Sequence, residues 1–175
     1  NKLKTQLDIA GYDKTNQADA GALYYYKFND DGSTNTYTLK QTVEAPDLQT
    51  NMKFGTSIDC NQAGNRLTIG AEKLGNFREM AFDSGATTFD LQDTTVVDQN
   101  IGSGGVYTAT MYDTLFVVDD RLVTTKVSSN DDFGRGVFIN DRGVYVGAPE
   151  DDSSSGVSND GTVTSFELNT LASYT

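Results

Sequence analysis

The sequence predicts an all-β protein assembled from repeats, and three observations carry that reading. Its apolar residues fall in short stretches at strand rather than helix spacing. Those stretches are bounded by Gly, Asn, Asp and Ser, and one pattern occurs twice along the chain.

The strand-like stretches run, in order, Gly21–Phe28, Thr36–Val43, Arg66–Ala71, Gly105–Met111, Thr114–Val118, Arg121–Val127, Gly143–Ala148 and Gly161–Leu168. Val, Ile, Thr, Tyr and Phe dominate them, the residues that fit a pleated, half-buried surface. In Gly21–Phe28 the side chains of Ala22, Tyr24, Tyr26 and Phe28 share one face, with Leu23 and Tyr25 on the other. A strand apolar on both faces needs cover on both sides. Asp31-Gly32 and Asp160-Gly161 are tight-turn dipeptides. No stretch of ten residues has a 3.6 period, and Asn76–Phe82 amounts at most to a short turn.

Charge and composition remove several function classes. With 175 residues and a net charge of −12, the chain repels phosphate backbones and anionic lipid. Nucleic acid and membrane insertion are therefore not expected, and no apolar run nears the roughly 18–20 residues that span a bilayer. No signal peptide is visible, and the chain opens at Asn1 with a strand-like segment almost at once, so it reads as an excerpt or a processed product. Cys60 is the only cysteine, which rules out an internal disulfide. No N-x-[ST] sequon occurs. Histidine is absent, and with it the commonest general base and zinc ligand.

The repeated pattern decides the architecture. Phe54-Gly55 followed by Leu67-Thr68-Ile69-Gly70-Ala71 returns 79 residues later as Phe133-Gly134 followed by Val144-Tyr145-Val146-Gly147-Ala148-Pro149. After each Gly-Ala comes a polar loop and a Gly-led strand, Gly104-Gly105-Val106-Tyr107 in one copy and Gly161-Thr162-Val163-Thr164 in the other. A degenerate third copy runs from Leu7-Asp8-Ile9-Ala10-Gly11 to Gly21-Ala22-Leu23-Tyr24.

This pattern resembles the FG-GAP repeat of integrin α-subunits and of many bacterial and viral proteins. The second copy has the full motif, whereas the first has Glu72 in place of the proline. The resemblance implies FG-GAP-type β-propeller blades, each of four antiparallel strands, forming a partial propeller. On that basis residues 1–43 are the second half of one blade. Residues 44–126 are a full blade with an insertion at 72–102, and residues 127–175 are most of the next. Phe54-Gly55 and Phe133-Gly134 are expected to begin equivalent strands of adjacent blades. Two blades and a fraction cannot close a ring of 4–8, so further chain or another subunit must complete the core.

The insertion Ala81–Asn100 repeats Phe-Asp and Thr-Thr, and resembles stretches in large structural proteins of tailed bacteriophages. The expected function is thus a non-catalytic virion component of the tail or its fibres, mediating subunit assembly or host-surface contact. The alternative is a secreted bacterial surface adhesin with an integrin-like propeller that binds protein or glycan, located extracellularly or at the cell surface. A third class is an accessory propeller beside a catalytic domain elsewhere in a parent chain.

Integrin-type blades often carry a calcium loop, and Asp59-Cys60-Asn61-Gln62-Ala63-Gly64 matches it in part. Asp59 and Asn61 are the candidate ligands. Ala63 supplies no side-chain oxygen, and calcium takes about 6–8, so an Asx turn is favoured over a site. Asp151 and Asp152, in the acidic loop Glu150–Asp160, are the second candidate pair, and solvation is favoured there. No cofactor is expected. Asp119/Asp120 and Asp131/Asp132 are read as adjacent exposed acids without the cleft a glycosidase needs. Ser153–Ser155 lacks a histidine partner. Cys60, on the same face as Ile58, is expected to be a buried apolar thiol.

Overall fold

A computed structural model describes residues 18–30, 35–47, 49–75, 103–122, 124, 130–152 and 158–168. Among them there is no helix, and the chain is all-β. The Leu7–Gly11 part of the degenerate N-terminal copy, the Asp31-Gly32 turn, the insertion Ala81–Asn100 and Ser153–Ser155 lie outside the described residues.

Nine strands are described: β1 (Leu23–Asp30), β2 (Asn35–Val43), β3 (Phe54–Cys60), β4 (Arg66–Ala71), β5 (Gly105–Tyr112), β6 (Leu115–Leu122), β7 (Gly136–Ile139), β8 (Gly143–Ala148) and β9 (Thr162–Glu167). They form three sheets in which every strand pairs antiparallel with its neighbour in sequence: β1-β2, β3-β4-β5-β6 and β7-β8-β9. Local pairing of this kind needs only short connections.

One expectation about the strands is corrected. The sequence reading gives Thr114–Val118 and Arg121–Val127 as separate stretches, on either side of Asp119 and Asp120. Leu115–Val118 and Arg121–Leu122 instead belong to one strand, β6, which runs through Asp119 and Asp120. The register passes from Thr108↔Asp120 to Ala109↔Val118, so Asp119 is the extra residue of a β-bulge. Its carboxylate accepts from the Thr108 hydroxyl at 2.7 Å and the Thr110 hydroxyl at 2.5 Å. Neighbouring threonines satisfy the charge that would otherwise end the strand.

The four-stranded sheet is covered on both faces. Its Leu67, Ile69, Tyr107, Ala109 and Phe116 pack with Leu23, Tyr25 and Val43 of the two-stranded sheet. On the opposite face, Val106 packs with Ile139, Val144, Val146 and Ala148 of the three-stranded sheet. Alternation in β1 follows the period-2 reading, with Leu23 and Tyr25 buried and Tyr24, Tyr26 and Phe28 only partly so. The Tyr25 ring meets Phe116 edge-on at 5.3 Å.

Side chains add rungs between the sheets. The Gln41 amide donates to the Phe116 carbonyl at 2.6 Å, and its oxygen accepts from the Phe116 N–H at 2.8 Å. Ser57 donates to the Gly134 carbonyl at 2.7 Å.

Candidate binding surface

The two Phe-Gly segments sit in the same surroundings, and the surroundings explain their composition. Phe54 and Phe133 are fully buried. The Phe54 N–H donates to the Ala20 carbonyl at 2.8 Å, and the Phe133 N–H donates to the Ser103 carbonyl at 2.9 Å. Each Phe lies over the glycine that precedes the neighbouring sheet's strand, Gly21 in one case and Gly104 in the other. A β-carbon at either glycine would stand well inside 3.0 Å of the phenylalanine backbone. The residues before each phenylalanine, Lys53 and Asp132, take positive φ of 55° and 56°, and Gly55 and Gly134 follow at 93° and 94°. One junction has been built twice.

A charge network ties the rim of these junctions. Glu72 accepts from Lys53 at 3.1 Å and lies 3.9 Å from Arg135, which also pairs with Asp132 at 3.4 Å and Glu150 at 3.7 Å. Lys73 reaches across to Asp132. Asp131 and Asp132 are therefore buried rather than exposed, correcting the sequence reading. A buried carboxylate persists when cations share its surroundings, as Lys73 and Arg135 do for Asp132. The spacing of these residues in sequence gave no sign of the network, because its members come from four separate loops.

A second cluster anchors the connection after β2. The Tyr107 hydroxyl donates to Asp47 at 2.5 Å, and Arg121 donates to the other Asp47 oxygen at 2.6 Å, with its guanidinium 6.0 Å from the Tyr107 ring centre. Burial, then the hydrogen bond to Asp47 and the charge of Asp47, push the Tyr107 hydroxyl well above its ordinary range.

The calcium candidates are in two separate places. Asp59 spends an oxygen on the Ile139 N–H at 2.8 Å, linking β3 to β7. Asn61 closes the β3–β4 hairpin, accepting from the N–H groups of Asn65 and Arg66, both at 3.1 Å. Its counterpart Asn140 does the same for Arg142 and Gly143. Asp151 is buried and accepts from the Thr162 hydroxyl at 2.5 Å, while the exposed Asp152 accepts from the Asn159 N–H at 2.8 Å. Among the described residues no group of three or more acids or cysteines is placed to hold a metal ion.

Cys60 is exposed, not buried. It is the last residue of β3, beyond the cover that half-buries Ile58. Partial desolvation of its sulfur still raises the thiol pKa, and Asp59 raises it further, while a hydrogen bond with the Arg66 backbone works the other way.

The outer faces of the two flanking sheets are apolar and open. On the first, the cross-strand pairs Tyr26↔Leu39 and Phe28↔Tyr37 share a face, with Leu39 47% and Tyr37 45% exposed. On the third, Phe138 and Val163 are 53% and 75% exposed. Comparison with known families and with curated proteins found no match for this chain.

Proposed function

We propose that the chain is a non-catalytic assembly module: a run of FG-GAP-type blades from a β-propeller, serving the virion of a tailed phage as part of the tail or its fibres. The observation that carries the assembly reading is the pair of open apolar faces at Leu39/Tyr37 and Phe138/Val163. The middle sheet, whose faces are covered, indicates what such faces require. Exposed patches bounded by polar residues mark association surfaces. Support for the blade reading comes from the twice-built Phe-Gly junction and the four antiparallel strands between its copies. The virion assignment rests on the resemblance of Ala81–Asn100 to phage structural proteins. The absence of histidine and the engagement of Asp59, Asp119, Asp132 and Asp151 in structural contacts support a non-catalytic role.

Sedimentation velocity of the 175-residue chain over a range of concentrations tests the assembly reading. Concentration-dependent association is expected. A monodisperse monomer with a cooperative unfolding transition would overturn it. Detection of peptides from this chain in purified virions checks the second part.

A further inference from the structure

Among the described residues the Phe-Gly junction has a third copy on which no Phe-Gly segment is seated. In the middle sheet Gly70 pairs with Val106 and Ala71 with Gly105; in the third sheet Gly147 pairs with Val163 and Ala148 with Thr162. Gly161, at φ +70°, precedes β9 as Gly104, at φ +92°, precedes β5. The geometry is the same and the occupancy is not. Val106 is fully buried beside the seated Phe133-Gly134, whereas Val163 is 75% exposed. A β-carbon on Gly70 would collide with the Gly134 carbonyl, whereas one on Gly147 would meet only the Gly136 oxygen, at 3.6 Å. Between Gly136, Gly147, Pro149, Gly161 and Val163 lies a cavity of about 570 Å³.

We propose that this cavity is a socket for a third Phe-Gly segment, supplied by polypeptide beyond these 175 residues; the inference rests on the assembly reading above. Both Phe-Gly pairs in the sequence are already seated, so neither is free to fill it. The rim charge refines the occupant. Where the middle sheet offers Lys73 to the acid before Phe133, the third sheet offers Glu150 two residues after Ala148, 3.7 Å from Arg135, and Asp160 lines the cavity together with that arginine, leaving the rim with two acids to one base. A basic residue before the phenylalanine is therefore complementary, giving a Lys-Phe-Gly or Arg-Phe-Gly segment with glycine at positive φ.

The probe is a fluorescein-labelled peptide with the sequence of residues 51–59, which contains Lys53-Phe54-Gly55. Its polarisation is followed against the full 175-residue chain. Saturable binding is expected, weakened at least tenfold when alanine replaces the peptide's phenylalanine. In the protein, Gly147→Ala puts a methyl group into the socket without an internal clash, so it should keep the wild-type Tm and lose at least tenfold in binding. Absence of binding, or binding that survives Gly147→Ala, would overturn the socket while the sedimentation result still decides the assembly reading. Self-association abolished by Gly147→Ala would make a second copy the occupant and overturn the proposal as stated.

Discussion

Gly70 faces the carbonyl oxygen of Gly134 so closely that the two sheets meet backbone to backbone, and a β-carbon at Gly70 would collide with that oxygen. The neighbour is main chain, which cannot swing aside. Gly70→Ala is expected to destabilise by about 3 kcal/mol, the upper end for overpacking. Gly136→Ala, with nothing within 4 Å of the new carbon, should stay within about 0.5 kcal/mol. Urea denaturation of both variants makes the comparison.

Gln41 replaces a backbone rung with a side chain. Truncation to alanine removes two hydrogen bonds to Phe116 and leaves that residue's partly buried backbone groups to find water. A loss of about 1–2 kcal/mol is expected, again read by denaturant titration.

Tyr107 gives the fold a specific weakness to alkali. Its hydroxyl keeps its proton in the folded state above the ordinary value of 10.0, because it is buried and bonded to Asp47. The unfolded chain loses that proton from pH 10.0 upward, so ionisation favours unfolding there. Stability should be unaffected by this group below pH 10.0 and fall above it by up to about 1.4 kcal/mol per pH unit. Tyr107→Phe should remove that increment of slope, visible in Tm measured from pH 9 to 11.

Thr68 has a fully buried hydroxyl without a hydrogen-bond partner. Thr68→Val keeps the shape and removes the stranded polar group, so it should stabilise by about 1 kcal/mol. A lower Tm in the variant would contradict this.

Local rules make much of this fold legible in the sequence. Alternation placed Leu23 and Tyr25 opposite Tyr24 and Tyr26, and the recurrence of Phe-Gly pointed to Phe54 and Phe133 as equivalent positions, although Phe54 opens β3 whereas Phe133-Gly134 precedes β7. What remained hidden depends on contacts between distant segments. Thr114–Val118 and Arg121–Val127 stood as separate stretches, because the two threonine hydroxyls that satisfy Asp119 between them lie on another strand. Asp131 and Asp132 looked exposed, because Lys73, which pairs with Asp132, is far away in sequence. Cys60 was misplaced because face alternation says nothing about where a covering sheet ends.

The Gln41 amide also bears on what β6 offers to other chains at Phe116. β6 is the edge of its sheet, and edge strands present unpaired N–H and C=O groups that can template a foreign strand. At Phe116 the outward-pointing pair is already taken by Gln41, so an invading strand would have to break two bonds before making any there. The same side chain that joins two sheets therefore closes the Phe116 position of that edge to strand addition.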